Sequence, residues 1–405
     1  MKVVHVTTMD FGGAGMAVIR IHEALLNQGV DSKILVLTKI TNTPGVISYL
    51  PKKSNKYIQG ILSRIENVRR RLWELRNPIA RWVRKSNILN DCFFTLSSTS
   101  YRVEKHPLIK NADIVHLHWI QNFVNYPTFF STVEKPCVWT FHDENIGLGG
   151  FHYIRDYEKF YKKHRKLEDF LRNIKQNSYL LKSDVRLIPL SKIMNDFIIK
   201  VPYCSHWKKT IVHNPVNTSV FVLHEKKECR ISLGLPLDKK VILFVAYEIS
   251  DDRKGLDKLI RSLKNLNRND ILLCCVGGNQ NMHSIDIPHT LLGHIHDESQ
   301  LSRVYSAADL FVLASDQEAF GQTLLESISC GTPVVSFPCG ISEELINKNN
   351  GIRCNDFSIE EMARCIDIAL NTTYDIRVMR DDVIKRFSPE HIAQQYIAIY
   401  QNMLK

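Results

Sequence analysis

The sequence of 405 residues lacks the simplest marks of several protein classes. No apolar run approaches the roughly 20 residues that a membrane-spanning helix needs, and the longest, such as Val241–Ala246, are strand-sized. The ten cysteines form no Cys-x-x-Cys pair, so we expect buried free thiols and no zinc site. The apolar stretch after Lys2 is too short for a signal peptide, which predicts a cytoplasmic protein.

Two successive series of strand and helix patterns are present, and the chain is too long for a single core. Their apolar runs are continuous rather than alternating, which indicates parallel sheets covered on both faces. The first series predicts strands at Val3–Thr8, Lys33–Thr38, Asp113–Trp119, Cys137–Phe141 and Arg186–Leu190, and the second at Val241–Tyr247, Ile271–Gly277, Thr290–Ile295, Asp309–Ala314 and Pro333–Phe337.

The Asn-Pro pair within Ile211–Asn217 reads as a hinge between the two series. We therefore predict an α/β protein of two doubly wound, Rossmann-like domains, spanning residues 1–215 and 216–387. The helical pattern over 388–405 is expected to rejoin the first domain. In this architecture a ligand binds at the carboxyl ends of the strands, in a cleft between the domains.

A glycine-rich segment, Gly12–Gly15, follows the first predicted strand and precedes a helix predicted over Met16–Gln28. Such a loop lets backbone approach a phosphate or an acceptor, and we assign Gly13 and Gly15 to donor binding. The segment lacks the spacing of a dinucleotide fingerprint, so NAD is not expected.

The strongest signal begins at Glu318 and runs to Glu326, after the strand predicted at Asp309–Ala314. A helix starting near Gly321 would present free N–H groups to a diphosphate. The two carboxylates would stand about 10 Å apart, which suits Glu318 to sugar hydroxyls and Glu326 to a ribose diol. The residues at the head of the helix, Phe320, Gly321 and Gln322, are assigned to donor binding as well.

Arg253 and Lys254 lie in the loop after the first strand of the second series. Two cations beside the predicted head of a helix can compensate the negative charge of a diphosphate, together with the N–H dipoles of that helix. We therefore expect neither a metal nor any other cofactor. A solvated pair of loop charges is the competing interpretation, more serious for Arg253 than for Lys254.

Positive charge is concentrated between Lys52 and Lys85, where eleven Lys/Arg face only Glu66 and Glu74, a net +9 out of the total of +11. A basic face suggests a nucleic acid, an anionic membrane or a phosphorylated acceptor. Over 57–85 the pattern is that of an amphipathic helix, kinked at Pro78. Adsorption to an anionic membrane and ordinary packing on the chain's own domain both fit this pattern.

The Glu318–Glu326 motif resembles the Glu-x7-Glu motif of the retaining glycosyltransferase family 4. Arg253–Gly255 resembles the family's basic pair that holds the diphosphate, and Val276–Gly278 and Gly293–Ile295 resemble its strand ends near the donor. The resemblance implies a GT-B fold, a nucleotide-diphosphate sugar as donor, and donor contacts from Gly277 and Ile295.

Four further segments resemble a bacterial branch of that family, active in exopolysaccharide, O-antigen and colanic-acid assembly. They are Gly12–Gly15, Val115–Trp119, Trp139–Asp143 and Gly149–Tyr153. The resemblance implies that His142 touches the donor sugar near its reacting carbon and, with Glu318, forms the catalytic pair. The neighbouring Asp143 is expected to orient His142 or to assist proton removal. A structural histidine that is satisfied by backbone is the competing interpretation. One departure is Glu248, which stands where many members have arginine.

The resemblance implies a retaining glycosyltransferase that acts on a saccharide acceptor, in the lipid-linked form, during cell-surface polysaccharide biosynthesis. It would lie in the cytoplasm or peripherally on the cytoplasmic face of the inner membrane, held through 57–85, without a nucleic-acid partner. Two alternatives stay open: a nucleotide-sugar epimerase of the same fold, or a catalytically silent sugar-nucleotide-binding subunit.

Overall fold

The computed structural model describes residues 1–50, 64, 68, 70–278 and 285–405. Over these residues the chain separates into two units by its internal contacts. The first contains Met1–Leu190, Met194–Val212 and Ala393–Lys405, and the second contains Ser191–Ile193 and His213–Ile392. The C-terminal segment thus returns to the unit in which the chain begins.

The first unit is built on a seven-stranded parallel sheet with the order β3-β2-β1-β4-β5-β6-β7. Strands β4 and β5 are buried along their whole length, which accounts for their uninterrupted apolar sequence. The strands are β1 Lys2–Met9, β2 Asp31–Thr38, β3 Val46–Ser48, β4 Ile114–Leu117, β5 Cys137–Phe141, β6 Val185–Pro189 and β7 Lys208–Lys209.

Helices connect and cover this sheet, as parallel pairing requires. They are Gly12–Asn27, Pro78–Ser86, Ile88–Asp91, Pro107–Lys110, Tyr126–Thr132, Ile154–Tyr179, Lys192–Ile199 and Pro389–Met403, with helical residues at 70–76 and 3₁₀ turns at Val103–Lys105, Glu144–Gly147 and Pro202–Cys204.

The second unit has a six-stranded parallel sheet with the order β10-β9-β8-β11-β12-β13. Its strands are β8 Lys240–Glu248, β9 Ile271–Gly278, β10 His289–Leu291, β11 Leu310–Leu313, β12 Val334–Ser336 and β13 Gly351–Arg353. Its helices are Lys226–Leu233, Leu256–Asn265, Glu298–Ala307, Gln322–Ser329, Ser342–Leu345, Ile359–Leu370 and Ile376–Phe387, and Asp252–Lys254 is a 3₁₀ turn. Two parallel-sheet, Rossmann-like units confirm the predicted α/β fold class.

Three strands were not predicted from the sequence, namely β3, β7 and β13. Each is two or three residues long and lies at the edge of its sheet. A segment of that length cannot display the apolar run by which the longer, central strands were identified.

The glycine-rich segment after β1 is not a loop, because the helix begins at Gly12 and residues 12–15 form its first turn. Gly12 has φ +68°, and a Cβ on Gly15 would stand 2.7 Å from the carbonyl carbon of Asp10. Gly15 is therefore required for close approach of helix to strand, whereas a Cβ on Gly13 would meet nothing within 4 Å.

The basic amphipathic segment predicted over 57–85 lies partly outside the described residues, since 57–63, 65–67 and 69 are not described. Pro78 divides the remainder, as expected: helical residues 70–76 end before Asn77, and a new helix runs Pro78–Ser86. The Asn77 side chain caps this second helix by accepting hydrogen bonds from the N–H groups of Ile79 and Ala80.

The two helical parts of the segment differ in what their apolar residues do. In the second part, Val83 is buried and packs with Phe94 and Leu167 in the unit's own core. In the first part, Leu72 and Leu75 are 46% and 56% exposed. Ordinary packing therefore explains the second part only. None of the described helices is long and apolar enough to cross a membrane.

Candidate functional site

In the second unit, Glu318 lies in the loop between β11 and the helix Gln322–Ser329. Lys254 Nζ donates a hydrogen bond of 2.6 Å to Glu318 Oε1, and Ser315 Oγ donates a second of 2.8 Å to the same oxygen. Both charged side chains keep some solvent contact, 23% for Lys254 and 15% for Glu318. Two residues that are 64 apart in sequence thus form one ion pair at the end of β11.

This ion pair determines the protonation of Glu318. Burial favours the neutral acid, but the charge and hydrogen bond of Lys254, together with the Ser315 hydroxyl, outweigh it and lower the pKa of Glu318. Glu318 is therefore an anion at neutral pH, suited to accept hydrogen bonds from sugar hydroxyls.

Glycines bring the three chain segments around Glu318 into contact. Gly255 has φ +73°, and a Cβ there would lie 2.0 Å from the carbonyl oxygen of Ala314. Gly340 has φ +57°, and its Cβ would lie 2.3 Å from the carbonyl oxygen of Phe320. The turn carrying Lys254 can therefore approach the end of β11 only because residue 255 lacks a side chain.

The helix after Glu318 begins at Gln322, as the sequence predicted, and Gly321 precedes it with φ +93°. Phe320 is buried. The Gln322 side chain donates through Nε2 to the carbonyl oxygen of Pro215, at 3.0 Å. Its Oε1 is buried and has no hydrogen-bond partner among the described residues. The first N–H groups of the helix are suited to an anion.

Glu326 lies in the same helix and is only 5% exposed. The hydroxyl of Tyr305, from the neighbouring helix Glu298–Ala307, donates to Glu326 Oε2 at 3.1 Å. This hydrogen bond helps to balance the cost of desolvating a buried carboxylate.

Arg253, by contrast, is engaged within its own turn. Its guanidinium pairs with Asp251 at 2.6 Å, and its carbonyl oxygen accepts from the N–H of Asp316 at 2.9 Å. Lys258 pairs with the Asp316 carboxylate nearby. The pair with Asp251 is of the kind that the competing interpretation of Arg253 expects, whereas Lys254 reaches Glu318.

Glu248 ends β8 and faces the segment after β10. Its Oε1 is 3.6 Å from Nε2 of His294, and its Oε2 is buried without a hydrogen-bond partner in the described ranges. A Cβ on Gly278 would lie 2.4 Å from that oxygen. The sequence indicated Glu248 only as a departure from a family pattern, and its pairing with His294 was missed because β8 and β10 are not adjacent strands.

Two other predicted donor contacts lie near this point. Gly277 has φ +137°, and a Cβ there would lie 2.0 Å from the carbonyl oxygen of Ala246. Glycine is therefore required at this position. The strand predicted over Thr290–Ile295 ends at Leu291, because Gly293 turns the chain with φ +69°. Ile295 therefore lies beyond the strand, in irregular chain.

In the first unit, His142 directly follows β5. Its Nε2 is 3.3 Å from Nδ1 of His118. Burial lowers the pKa of His142 to about 4, although the Asp143 carboxylate acts in the opposite direction. His142 is therefore neutral at physiological pH.

Asp143 does not have the orienting role that was expected of it. Its carboxylate accepts from Nδ1 of His152 at 2.6 Å, from Nε1 of Trp119 at 2.8 Å and from the N–H of Asn145 at 3.1 Å. These bonds fix the loop after β5, and His142 is held by His118 instead.

The Gly149–Gly150 pair owes its identity to packing. The two amides donate to the Glu168 carboxylate, at 2.5 and 2.8 Å, and a Cβ on Gly150 would lie 2.2 Å from the ring of Phe94. Lys175 donates to the carbonyl oxygens of Asn145 and Leu148 from the same helix as Glu168. Glu168 and Lys175 were not predicted from the sequence, because they come close to this loop only in the folded structure.

One group of metal-ligating side chains comes together among the described residues: His5, His116 and His118, with ring nitrogens within 4.8 Å of one another. All three are buried. His5 Nδ1 and His118 Nε2 are hydrogen-bonded at 2.9 Å, and both nitrogens of His116 are paired with hydroxyls. Hydrogen bonds therefore occupy Nδ1 of His5 and both nitrogens of His116 and His118, whereas Nε2 of His5 has no partner among the described residues.

Comparison with known proteins agrees with the geometry. Residues 225–386 match the family described as Glycosyl transferases group 1. An uncharacterized glycosyltransferase of Methanocaldococcus jannaschii is 26% identical over 71% of this chain and 75% of its own length. An Escherichia coli O-antigen biosynthesis glycosyltransferase, WclY, is 25% identical over 54% of this chain and 62% of its own.

Other relatives are covered less completely. The chain spans 41% of a D-inositol 3-phosphate glycosyltransferase of Mycobacteroides abscessus, at 29% identity over 43% of this chain. Among solved structures, Anabaena HepE in complex with UDP and glucose superimposes with a TM-score of 0.65, at 16% identity, over 99% of both chains. The family match covers the residues that carry Lys254, Glu318 and Glu326. The chain is thus a transferase enzyme of the α/β class with two Rossmann-like units, and residues 225–386 of the second unit are similar to the group 1 glycosyltransferases.

Proposed function

We propose that this enzyme transfers a sugar from a nucleotide-diphosphate sugar to a saccharide acceptor with retention of the anomeric configuration. The bond from the anomeric carbon to the diphosphate oxygen breaks, and the acceptor hydroxyl oxygen bonds to that carbon. The hydroxyl proton passes to the departing diphosphate on the same face of the sugar, so no protein nucleophile is required.

The single observation that carries this proposal is the Lys254–Glu318 pair beside the head of the helix Gln322–Ser329. An ammonium and the first N–H groups of a helix offer positive charge to a diphosphate. An ionised carboxylate next to them accepts hydrogen bonds from neutral hydroxyls. A nucleotide-diphosphate sugar carries both groups in adjoining positions.

The other assigned residues take complementary roles. Glu326 accepts from the ribose diol, and His142 contacts the donor sugar. Backbone at Gly13, Gly277 and Gly321 approaches the donor, and at Gly13 the space is open, since a Cβ there would meet nothing within 4 Å. No metal takes part, because Lys254 and the helix N–H groups supply the positive charge.

Incubation of the purified protein with a panel of UDP- and GDP-sugars and saccharide acceptors tests this function. Transfer with an α- or β-linkage matching that of the donor is the expected result, read by NMR of the product. An isomerised nucleotide sugar would identify an epimerase, and binding without turnover would identify a silent subunit. The Glu318→Gln variant is the matched control and should lose transfer.

For the acceptor, we propose a lipid-linked saccharide used in surface-polysaccharide assembly at the cytoplasmic face of the membrane. The first unit contains a cavity of about 640 Å³ lined by apolar Leu72 and Trp73 and basic Arg76 and Arg102. Apolar and cationic walls together suit a phosphorylated lipid. The O-antigen biosynthesis relative in Escherichia coli supports the same role.

Sedimentation with lipid vesicles tests the membrane part of this proposal. The enzyme should sediment with vesicles rich in anionic lipid, less so at raised salt, because each Lys/Arg near such a surface contributes about 1 kcal/mol. Replacing Arg69, Arg70 and Arg71 with Glu should reduce sedimentation and leave donor binding unchanged. A wild-type protein that stays in the supernatant at low salt would rule out membrane adsorption.

A further inference from the structure

Three imidazoles in the first unit form one hydrogen-bonded chain. His5 Nδ1 lies 2.9 Å from His118 Nε2, and His118 Nδ1 lies 3.3 Å from His142 Nε2. The residues come from β1, from the end of β4 and from the end of β5, which are neighbouring strands of the sheet. His118 is the middle ring, and both its nitrogens are in use.

The protons of this chain must be arranged in one of two ways. Burial lowers the pKa of each of the three residues below the ordinary histidine range, so all are neutral. A neutral imidazole has one N–H donor and one acceptor nitrogen. His118 must therefore donate to one neighbour and accept from the other, and its direction sets the direction of the whole chain.

The surroundings of His5, at one end of the hydrogen-bonded chain of imidazoles, decide between the two directions. Nε2 of His5 is completely buried and has no hydrogen-bond partner in the described part of the chain. A buried N–H without a partner is rarer in folded proteins than a buried acceptor without one. Nε2 of His5 is therefore the nitrogen without hydrogen, and Nδ1–H of His5 donates to His118.

The remaining protons follow. Once His118 Nε2 accepts from His5, His118 carries its hydrogen on Nδ1 and donates to Nε2 of His142. His142 must then carry its own hydrogen on Nδ1. In this arrangement its unshared nitrogen is a donor and not a proton acceptor.

We propose that His5 and His118 are positioning residues that fix His142 as the Nδ1–H tautomer, so that His142 meets the donor sugar as a neutral hydrogen-bond donor and not as a general base. The atom that it contacts is an oxygen of the sugar with a free lone pair, a hydroxyl or the ring oxygen. The contact with the sugar rests on the proposed function, whereas the tautomer does not.

His116 provides a matched comparison within the same cluster. Its ring lies 4.0 Å from that of His118, centroid to centroid, and it is equally buried. Its two ring nitrogens pair with the hydroxyls of Tyr400 and Thr140, at 2.7 and 2.9 Å. His116 is therefore not part of the hydrogen-bonded chain of His5, His118 and His142. Replacing it disturbs the same core without interrupting the path from His5 to His142.

Long-range ¹H–¹⁵N NMR of the full-length enzyme with ring-¹⁵N-labelled histidine reads the tautomer without any substrate. The His142 signals are assigned by their loss in His142→Gln. We expect Nδ1 of His142 to carry the hydrogen and Nε2 to be the bare nitrogen. A hydrogen on Nε2 of wild-type His142 would overturn the proposal, as would a stoichiometric metal found by elemental analysis on the cluster.

Three variants separate positioning from simple packing. His118→Phe removes the donor to His142 and should abolish the tautomer preference and lower kcat by about three- to tenfold, the equivalent of one hydrogen bond. His118→Gln keeps a side-chain N–H donor and should restore both. His116→Phe should leave the tautomer unchanged. Equal loss of the preference in the two phenylalanine variants would overturn the proposal.

The proposed tautomer and the proposed function would be refuted by different experimental results. If no nucleotide sugar is turned over while the Nδ1–H signature is present, the assignment of the reaction is wrong and the hydrogen-bond chain stands. If transfer proceeds and the signature is absent, the reaction stands and the positioning role is wrong.

Discussion

The two units carry their polar groups at the ends of the strands in opposite ways. In the second unit the groups are charged and partly exposed, with Lys254 and Glu318 paired beside the head of a helix. In the first unit they are neutral and buried, with imidazoles from β1, β4 and the end of β5 bonded to one another. We call the Lys254–Glu318 group of the second unit the charged side and the imidazoles of the first unit the neutral side. The charged side is suited to hold a diphosphate, and the neutral side is suited to donate or accept single hydrogen bonds without attracting counterions. Four predictions test this contrast.

The largest effect is expected from the charged side. Lys254→Met should lower kcat by about 10²–10³-fold, the range seen when one preorganised electrostatic group is removed from a transition state. Steady-state kinetics with the best donor measure it. Lys258→Met is the control, because that lysine pairs with Asp316 rather than Glu318 and should change the rate little. Equal losses in the two variants would contradict the role given to Lys254.

A smaller effect is expected from Glu326, whose proposed contact with the ribose diol is the same in the ground and transition states. Glu326→Ala should raise the donor KM more than it lowers kcat, with a loss of about 1.5–3 kcal/mol in kcat/KM. Tyr305→Phe removes only the hydrogen bond to the carboxylate and should cost less. A folded Glu326→Ala enzyme with unchanged donor affinity would refute the assignment.

The two units should also respond to acid at different pH values. Buried histidines of the first unit have lowered pKa values, so they stabilise it fully above the unfolded pKa of about 6.5. That stability is lost progressively as the pH falls from there toward the folded values. Glu318 also has a lowered pKa, so its contribution to the second unit is full above the unfolded value of about 4.3 and is lost only below it.

Urea unfolding at pH 7.5 and 5.5 measures this difference. All five tryptophans belong to the first unit, so their fluorescence reports on that unit. Its midpoint should fall at pH 5.5, while hydrogen exchange of peptides from the second unit should show unchanged protection. His116→Gln should weaken the pH dependence, and the exposed His206→Gln should not. A midpoint that does not move would mean that the histidine cluster is protonated without cost.

The smallest effect is expected from metal removal. With Lys254 and the helix N–H groups as the proposed source of positive charge, activity should be unchanged after dialysis against EDTA. The same assay with added Mg²⁺ or Mn²⁺ is the control. Complete loss that these ions restore would show that the charged side is completed by a cation.

The contrast also explains what the sequence could reveal. Glu318 and Glu326 lie on one helix and its preceding loop, so their spacing is visible in the linear pattern, and the helix start at Gln322 follows from it. The central strands were equally visible as apolar runs. The bonds of Asp143 to His152 and Trp119 were not, because the partners lie on different segments of chain and nothing in their spacing marks them. The glycine segment was wrongly predicted to be a loop, because glycines next to a strand end can also serve close packing, as Gly15 does in the first turn of the helix.

The loop at Gly149 and Gly150 has a consequence for the order of folding. Its two amides depend on Glu168, and its carbonyl oxygens depend on Lys175, so its shape is determined by a helix that follows it in the chain. We expect the loop to become ordered only when the helix Ile154–Tyr179 docks, after the transition state for folding. Contacts that are absent from the transition state affect the rate of unfolding far more than the rate of folding. Glu168→Gln should therefore shorten the lifetime of the native state while the protein still folds at its usual speed.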